Sequence, residues 1–143
     1  DFSGPCAREQ AEQMLSSGII TKEEFDALPL AQIDAFLASS LCQRIKNSYQ
    51  VNRERSFCKL VPIEESGDEA LIQGIIDCYF FEGNNIVLLD YKTDIILSSI
   101  EEQAEKHRNQ LMLYASALMA LYPGSNVEIY IYFFNADNFV QIK

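Results

Sequence analysis

The sequence predicts an α/β fold of the mixed α+β type, with a helical N-terminal segment, a central mixed sheet and a long helix crossing over one face of it. Three observations predict it. The first fifty residues carry apolar residues at helical spacing, short β-branched runs follow, and a second helical stretch precedes two more such runs. With 143 residues, 48% of them hydrophobic, the chain has the size of one structural domain.

The N-terminal segment reads as consecutive helices. The phrase "PCAREQAEQMLSSG" ends at a glycine stop, and "TKEEFDAL" begins with Thr21 and Glu24 at the spacing of a capping box. The next phrase, "LAQIDAFLASSLCQRIKNS", is predicted to form one continuous helix. Its apolar stripe comprises Ile33, Phe36, Leu37, Leu41 and Ile45.

The remaining elements are three strands, a helix and two strands. The strands are predicted in "RERSFCKLVPI", "ALIQGIIDCYFF" and "NNIVLLDYK", separated by turns at "EESGDE" and "EGNN". The long helix begins with either Ser98 and Glu101 or Ser99 and Glu102 as its cap, and "YPGSN" ends it. Its apolar stripe comprises Leu111, Tyr114, Ala115 and Leu118. The last two strands, "VEIYIYFF" and "NFVQIK", flank a turn at "NADN".

Charge and cysteine usage narrow the functional class. The formal net charge of −10 argues against a free-standing nucleic-acid binder, because phosphate neutralisation by basic residues supplies most of the affinity of such proteins. The four cysteines form no C-x-x-C pair, which favours buried, reduced thiols and a cytoplasmic setting. They are Cys6, Cys42, Cys58 and Cys78. The sequence predicts no membrane span or signal peptide, and its mid-phrase start without Met suggests a piece of a longer protein.

Two aspartates lie inside strongly apolar strands. If Gly83-Asn84 is the two-residue loop of a hairpin, Asp77 lies directly opposite Asp90, and Lys92 shares the face of Asp90. A loop at Asn84-Asn85 would keep the three residues together, whereas a three-residue loop would separate them. The hairpin therefore predicts two carboxylates and one ammonium on one patch.

Such a patch indicates a metal site. Opposed carboxylates about 5 Å apart repel each other, so they share a proton or hold a cation. Mg²⁺ and Mn²⁺ take one or two carboxylates together with water and phosphate oxygens. A nearby lysine could orient or deprotonate an attacking water. The alternative interpretation of "LLDYK" alone is a solvated strand end, but Asp77 lies within "GIIDCYFF", where an unpaired carboxylate is costly.

The order of five phrases resembles the RecB-like branch of the PD-(D/E)xK nuclease superfamily. The phrases are "RERSF", "LIQGIIDCYF", "LLDYKTD", "HRNQLMLYASAL" and "IYIYFF". They most resemble the C-terminal nuclease domains of the AddA family, the helicase/nuclease subunits of bacterial AddAB complexes. The resemblance implies a restriction-endonuclease-like sheet, with residues 51–143 as the nuclease core and residues 1–50 as a helical entry segment.

The same resemblance implies a role for each matching residue. Asp77 and Asp90 would bind the metal, with the backbone carbonyl of Tyr91 completing the site, and Lys92 would be the catalytic lysine. Gln110 matches the family's Q-x-x-x-Y motif, in which it lies against the active site. Two further matches, Tyr114 of the same motif and Glu54 of the first strand, would support the site or contact DNA. His107 receives no role.

The function implied is metal-dependent hydrolysis of DNA by an exonuclease domain during double-strand-break repair. Mg²⁺ is the implied cofactor, with Mn²⁺ as an option, and ATP would serve only the helicase domains. The implied partners are a DNA single strand and an AddB-like subunit in the bacterial cytoplasm, with no membrane. The family also carries an upstream histidine, in phrases such as "GTAMH", and no histidine precedes His107 here. The alternative is therefore a catalytically inactive, nuclease-like domain with a structural or subunit-contact role.

Overall fold

The computed structural model describes residues 6–62 and 68–143. The chain divides into two compact units, Asp1–Asn47 and Ser48–Lys143. The first is helical and the second contains the sheet, so the mixed α/β class predicted from the sequence is confirmed. No helix within the described ranges is long and apolar enough to cross a membrane.

The first unit consists of four helices: α1 (Ala7–Ser16), α2 (Lys22–Ala27), α3 (Leu30–Ala38) and α4 (Ser40–Asn47). The predicted capping box of α2 is present. Thr21 Oγ1 accepts from the Glu24 backbone N–H, and the Glu24 carboxylate accepts from the Thr21 N–H. These two bonds satisfy backbone donors that the first helical turn leaves unpaired.

The single helix predicted after Pro29 was wrong, because the chain breaks it at Ser39. That residue has extended backbone angles, and its hydroxyl accepts from the Cys42 N–H, so it ends α3 and starts α4. Serine competes for local backbone hydrogen bonds in this way, and the apolar stripe continues across such a break. Phe36, Leu41 and Ile45 of the stripe are buried, as predicted.

The second unit is a five-stranded sheet crossed by one helix. Its elements are β1 (Val51–Pro62), β2 (Glu69–Glu82), β3 (Asn85–Lys92), α5 (Ile100–Leu121), β4 (Asn126–Phe133) and β5 (Asn138–Ile142). The strands lie in the order β1-β2-β3-β4-β5, all antiparallel neighbours except the parallel pair β3 and β4. Helix α5 is the crossover that a parallel pair requires. Most of the turn predicted at "EESGDE" lies outside the described residues.

Helix α5 packs against the sheet through its predicted apolar stripe, and all four stripe residues are buried in one hydrophobic cluster with residues of β2, β3 and β4. The helix begins at Ser99, whose hydroxyl accepts from the Glu102 N–H, so the second of the two predicted caps is the one used. Gly74 lies beneath this layer. A Cβ there would come within 2.7 Å of the Phe57 ring and 3.3 Å of the Tyr114 ring.

The four cysteines are free thiols, as predicted. Cys42 and Cys78 are buried, but the expected burial was wrong for Cys6 and Cys58, which are exposed. Cys58 lies on edge strand β1, on the opposite strand face from Phe57, which packs towards the cluster. Side chains alternate between the two faces of a strand, so a cysteine beside a core residue need not be buried.

Candidate active site

The β2–β3 hairpin has the register predicted from the sequence. Gly83 and Asn84 form its two-residue loop, and the pairing runs from Glu82 opposite Asn85 to Cys78 opposite Leu89. Gly83 has a φ of +60°, the left-handed conformation that such a loop requires and that glycine adopts without strain. One further step along this register places Asp77 opposite Asp90.

The backbone pairing is interrupted at Asp77. In a continued antiparallel ladder the Tyr91 N–H would bond to a backbone carbonyl of β2. It donates instead to Asp77 Oδ2, at 3.0 Å. On the other side of β2, the pairing with β1 skips Glu54 and Asp77, although Arg53–Cys78 and Arg55–Ile76 are paired on either side. Glu54, Asp77 and Asp90 therefore occupy one row across three strands.

Strand β2 also changes face at this row. Ile76 and Tyr79 both belong to the hydrophobic cluster and line the same cavity beside α5. Residues three apart on a regular strand would point to opposite faces. In β1 the distortion appears as a φ of +49° at Glu54, a conformation that is uncommon for residues other than glycine. The irregular backbone thus coincides with the three acidic residues.

Asp90 is a buried carboxylate paired with one ammonium. Its exposed fraction is 3%, and Lys92 Nζ lies 2.6 Å from its Oδ2. Apart from this ion pair, nothing in the described part of the chain satisfies that oxygen. Burial raises the pKa of Asp90 and the Asp77 charge raises it further, while Lys92 opposes both effects. The two aspartates are therefore close enough to influence each other electrostatically.

The donor set fits a hard divalent cation of the magnesium type. Two carboxylates lie in one row, Asp77 is half-buried rather than sealed, and Asp90 carries a buried oxygen compensated only by Lys92. Mg²⁺ is commonly held by one or two carboxylates and completes its shell with water and substrate oxygens. Within residues 6–62 and 68–143 no group of three or more His, Cys, Asp or Glu side chains could by itself hold a metal ion.

Gln110 and Tyr114 lie on one face of α5, as their spacing predicts. Gln110 Nε2 donates to the Tyr114 hydroxyl at 2.6 Å. The Tyr114 ring is buried and packs edge-on against Phe57, with 5.1 Å between the ring centroids. Gln110 itself is exposed. The tyrosine therefore belongs to the core, and its hydroxyl holds the amide of Gln110 at the surface of α5.

His107 is a neighbour of the site that the sequence alone did not single out. Its imidazole is half-buried, with Nε2 3.7 Å from Asp94 Oδ2. Burial lowers its pKa, and the nearby Lys92 charge lowers it further, while Asp90 opposes both. The available signal was helical spacing, because His107 precedes Gln110 by one turn and so shares its face. Without a tertiary partner in the sequence, that spacing did not distinguish it from a surface residue.

The loop after β3 is tied to the turn between β4 and β5. Asn135 Nδ2 donates to the backbone carbonyls of Thr93 and Asp94, at 2.7 and 3.0 Å. These bonds fix the chain directly after Lys92 against the parallel neighbour of β3. The end of β3 is therefore held in place from the β4 side, whereas its β2 side carries the interruption.

Sequence comparison agrees with this architecture. The family model described as the PD-(D/E)XK nuclease superfamily matches residues 3–141. The chain belongs to the PD-(D/E)XK nuclease superfamily.

Among curated proteins, the chain is similar to several whose names describe the AddA-type component of an ATP-dependent helicase/nuclease. It is 36% identical over 146 residues to the protein of Clostridium botulinum strain Loch Maree. It is 36% identical over 141 residues to that of Syntrophomonas wolfei and 34% identical over 145 residues to that of Acetivibrio thermocellus. Each match covers 94% of this chain but only 11 or 12% of the relative.

Proposed function

We propose that this chain is a DNA-hydrolysing nuclease domain that depends on a divalent cation, with Mg²⁺ as the natural ion and Mn²⁺ as a substitute. The observation that carries the proposal is the row at the interrupted ladder, where Asp77 and Asp90 lie opposite each other beside the ammonium of Lys92. Membership of the nuclease superfamily supports the same chemistry.

Asp77 and Asp90 are the proposed metal ligands. The Tyr91 carbonyl is the proposed third protein oxygen, because the N–H and C=O of one residue in an extended strand point to the same side, and the Tyr91 N–H points towards Asp77. When bound, the cation would polarise the phosphate and lower the pKa of a water molecule. Two carboxylates then leave room for water and phosphate oxygens.

Lys92 is the proposed catalytic lysine. Its ammonium is held by Asp90 and is partly exposed, with 18% of the side chain accessible, so it can reach a substrate without leaving the site. There it would orient the attacking water and offset the negative charge that develops on the phosphate. Breaking of the phosphodiester bond then leaves one fragment with a phosphate and the other with a hydroxyl.

Gln110 is proposed to contact the DNA strand beside the site, with Tyr114 as its support. The hydrogen bond between Gln110 and the buried Tyr114 hydroxyl limits the rotamers of an otherwise exposed amide. An amide held in this way can donate to a phosphate oxygen at a lower entropic cost than a mobile side chain. Glu54 is proposed to support the row from the β1 side.

For the whole protein we propose an ATP-dependent helicase/nuclease that processes double-strand breaks in the bacterial cytoplasm. The named relatives support this role, although the chain spans only about 11% of their length. Helicase domains would use ATP and deliver a single strand, together with an AddB-like subunit. Within the chain, we propose residues 51–143 as the nuclease core and residues 1–50 as a helical entry segment.

The test combines cation binding with DNA cleavage. Calorimetric titration of Mg²⁺ and Mn²⁺ into this chain should give a heat of binding that Asp77→Asn and Asp90→Asn each remove. In the intact protein that contains this chain, the same variants and Lys92→Met should lower single-strand cleavage about 100-fold or more. Asp137→Asn is the matched control, because Asp137 is an exposed carboxylate in the turn before β5.

A second candidate is an inactive domain with a structural role. It is favoured by the shortage of protein ligands, since the described ranges contain no three-residue metal cluster. Cleavage that is equal in the wild-type protein and the Asp77→Asn and Lys92→Met variants would reject the nuclease proposal for this site. Intact assembly with no cleavage at all would then favour the structural role.

A further inference from the structure

A cavity of about 300 Å³ lies between edge strand β1 and the C-terminal half of α5. Its apolar lining includes Phe57, Ile76 and Leu118. Its polar lining includes the Arg55 side chain and two tyrosines, Tyr79 and Tyr122. Small-molecule sites have volumes of roughly 300–1,000 Å³ and combine an apolar lining with a few convergent polar groups. This cavity is at the lower end of that range, which suits one flat heterocycle.

The polar groups of the cavity are held in a fixed arrangement. The hydroxyls of Tyr79 and Tyr122 are 3.0 Å apart, and their ring centroids are 6.1 Å apart. Tyr79 is buried, and burial together with the Tyr122 hydrogen bond raises its pKa to about 12, while Arg55 opposes this shift. The two hydroxyls are therefore neutral at physiological pH. Arg55 adds a permanent donor, so the cavity offers both donors and acceptors beside aromatic rings.

The cavity adjoins the row of acidic residues. Glu54, the β1 member of that row, lines it, and Ile76 of its floor is the direct neighbour of Asp77. The left-handed backbone at Glu54 and the change of face in β2 are what bring Ile76 and Tyr79 to the same wall. The distortion that interrupts the ladder at the proposed metal site therefore also shapes the cavity.

We infer that this cavity binds one unpaired nucleobase of the strand being cut, directly beside the phosphate held at Asp77 and Asp90. The inference rests on the proposed nuclease function. A base has two apolar faces for the lining of Phe57 and Leu118, and a polar edge for Arg55 and the tyrosine hydroxyls. Bases stack on aromatic side chains whatever their identity, and guanidinium groups bond to their edges.

This occupant also explains a preference for single strands. A base inside a duplex is stacked on both faces and paired along its edge, so it enters a cavity only after being flipped out. A base on a single strand avoids most of that cost. The cavity therefore selects unpaired DNA without any large basic surface, which agrees with the net charge of −10.

The test uses the intact protein containing this chain and a set of single-stranded oligonucleotides in which one abasic residue is moved stepwise past the cleavage position. We expect the cleavage rate of the wild-type protein to fall about tenfold when the abasic residue occupies one particular position. Ala117→Phe, which places a ring in the cavity from α5, should lower the rate on normal DNA and abolish this positional dependence. Ala120→Phe on the same helix is the matched control, because Ala120 is exposed and does not line this cavity.

Each result bears on the inference separately from the nuclease proposal. Cleavage with a flat abasic profile in the wild type would overturn the inference and leave the nuclease function standing. If Ala117→Phe unfolds, as judged by circular dichroism, Arg55→Ala with Tyr79→Phe replaces it, and a retained abasic effect in that variant would overturn the inference. Thermal stabilisation by free deoxyadenosine without any abasic effect would assign the cavity to free nucleosides instead. If the wild type fails to cleave, equal affinity for normal and fully abasic strands in Ca²⁺, for wild type and Ala117→Phe alike, would reject it.

Discussion

Asp90 is a buried anion whose compensating charge, Lys92, sits two residues along the same strand. Burial raises its pKa despite that partner, so the folded protein binds a proton here more readily than the unfolded chain does. The stabilisation from this raised pKa is complete below the unfolded-state pKa of about 4, and it is lost as the pH rises through the folded-state value. At neutral pH, without a cation, the ionised carboxylate therefore lowers stability.

We expect Asp90→Asn to raise the thermal unfolding midpoint of the metal-free chain at pH 7, because the buried charge is removed while Lys92 remains partly exposed to water. The gap from the wild type should narrow as the pH falls towards about 4. Circular dichroism melts across this pH range measure it, with Asp137→Asn as an exposed control. A midpoint below that of the wild type at pH 7 would show that the ion pair outweighs desolvation.

At the scale of elements, the start of α5 rests on one serine. Ser99 accepts from the Glu102 N–H at 3.2 Å, whereas the adjacent Ser98 makes no such bond to the helix start. We expect Ser99→Ala to lower the free energy of unfolding by about 1 kcal/mol and Ser98→Ala to leave it nearly unchanged. Urea denaturation of the two variants provides a matched comparison. Equal losses would mean that the cap does not set the start of α5.

The contact between β2 and the aromatic layer above it is similarly specific. Gly74→Ala would place a methyl group 2.7 Å from the Phe57 ring, which Tyr114 holds in place from the other side. We expect a loss of about 1–3 kcal/mol in the free energy of unfolding, the usual cost of overpacking. Adding Phe57→Leu should recover part of it, because the smaller side chain leaves room for the methyl group. A double variant no more stable than Gly74→Ala would show that the strain lies elsewhere.

The sequence predicted these elements to different degrees. The β2–β3 register followed from a two-residue loop and the strict alternation of side chains, and the stripe of α5 followed from helical spacing. The break at Ser39 was missed because the apolar stripe runs straight across it. The distortion at Glu54 and Asp77 was missed as well, since each strand alone reads as regular and only the tertiary arrangement favours a left-handed glutamate.

At the scale of the whole molecule, a chain with a net charge of −10 has few basic side chains for phosphate. Those near the acidic row include Arg53, Arg55 and Lys92. For three phosphate contacts to a single strand, we expect log affinity against log salt to have a slope of about −2. Fluorescence anisotropy with a labelled oligonucleotide in Ca²⁺ measures this slope, and Lys92→Met should reduce its size by about 0.7. A slope of about −5 or steeper would reveal a basic surface beyond these residues.

The side-chain bond across the interrupted ladder makes one amide a spectroscopic reporter of the acidic row. The Tyr91 N–H donates to the carboxylate of Asp77, so its proton resonance depends on the charge and occupancy of that oxygen. With ¹⁵N-tyrosine labelling the chain gives seven backbone signals, and Tyr91→Phe identifies the relevant one by its loss. Titration with Mg²⁺ should move this signal more than the other six. The backbone irregularity thereby gives a readout of cation binding that needs neither DNA nor turnover.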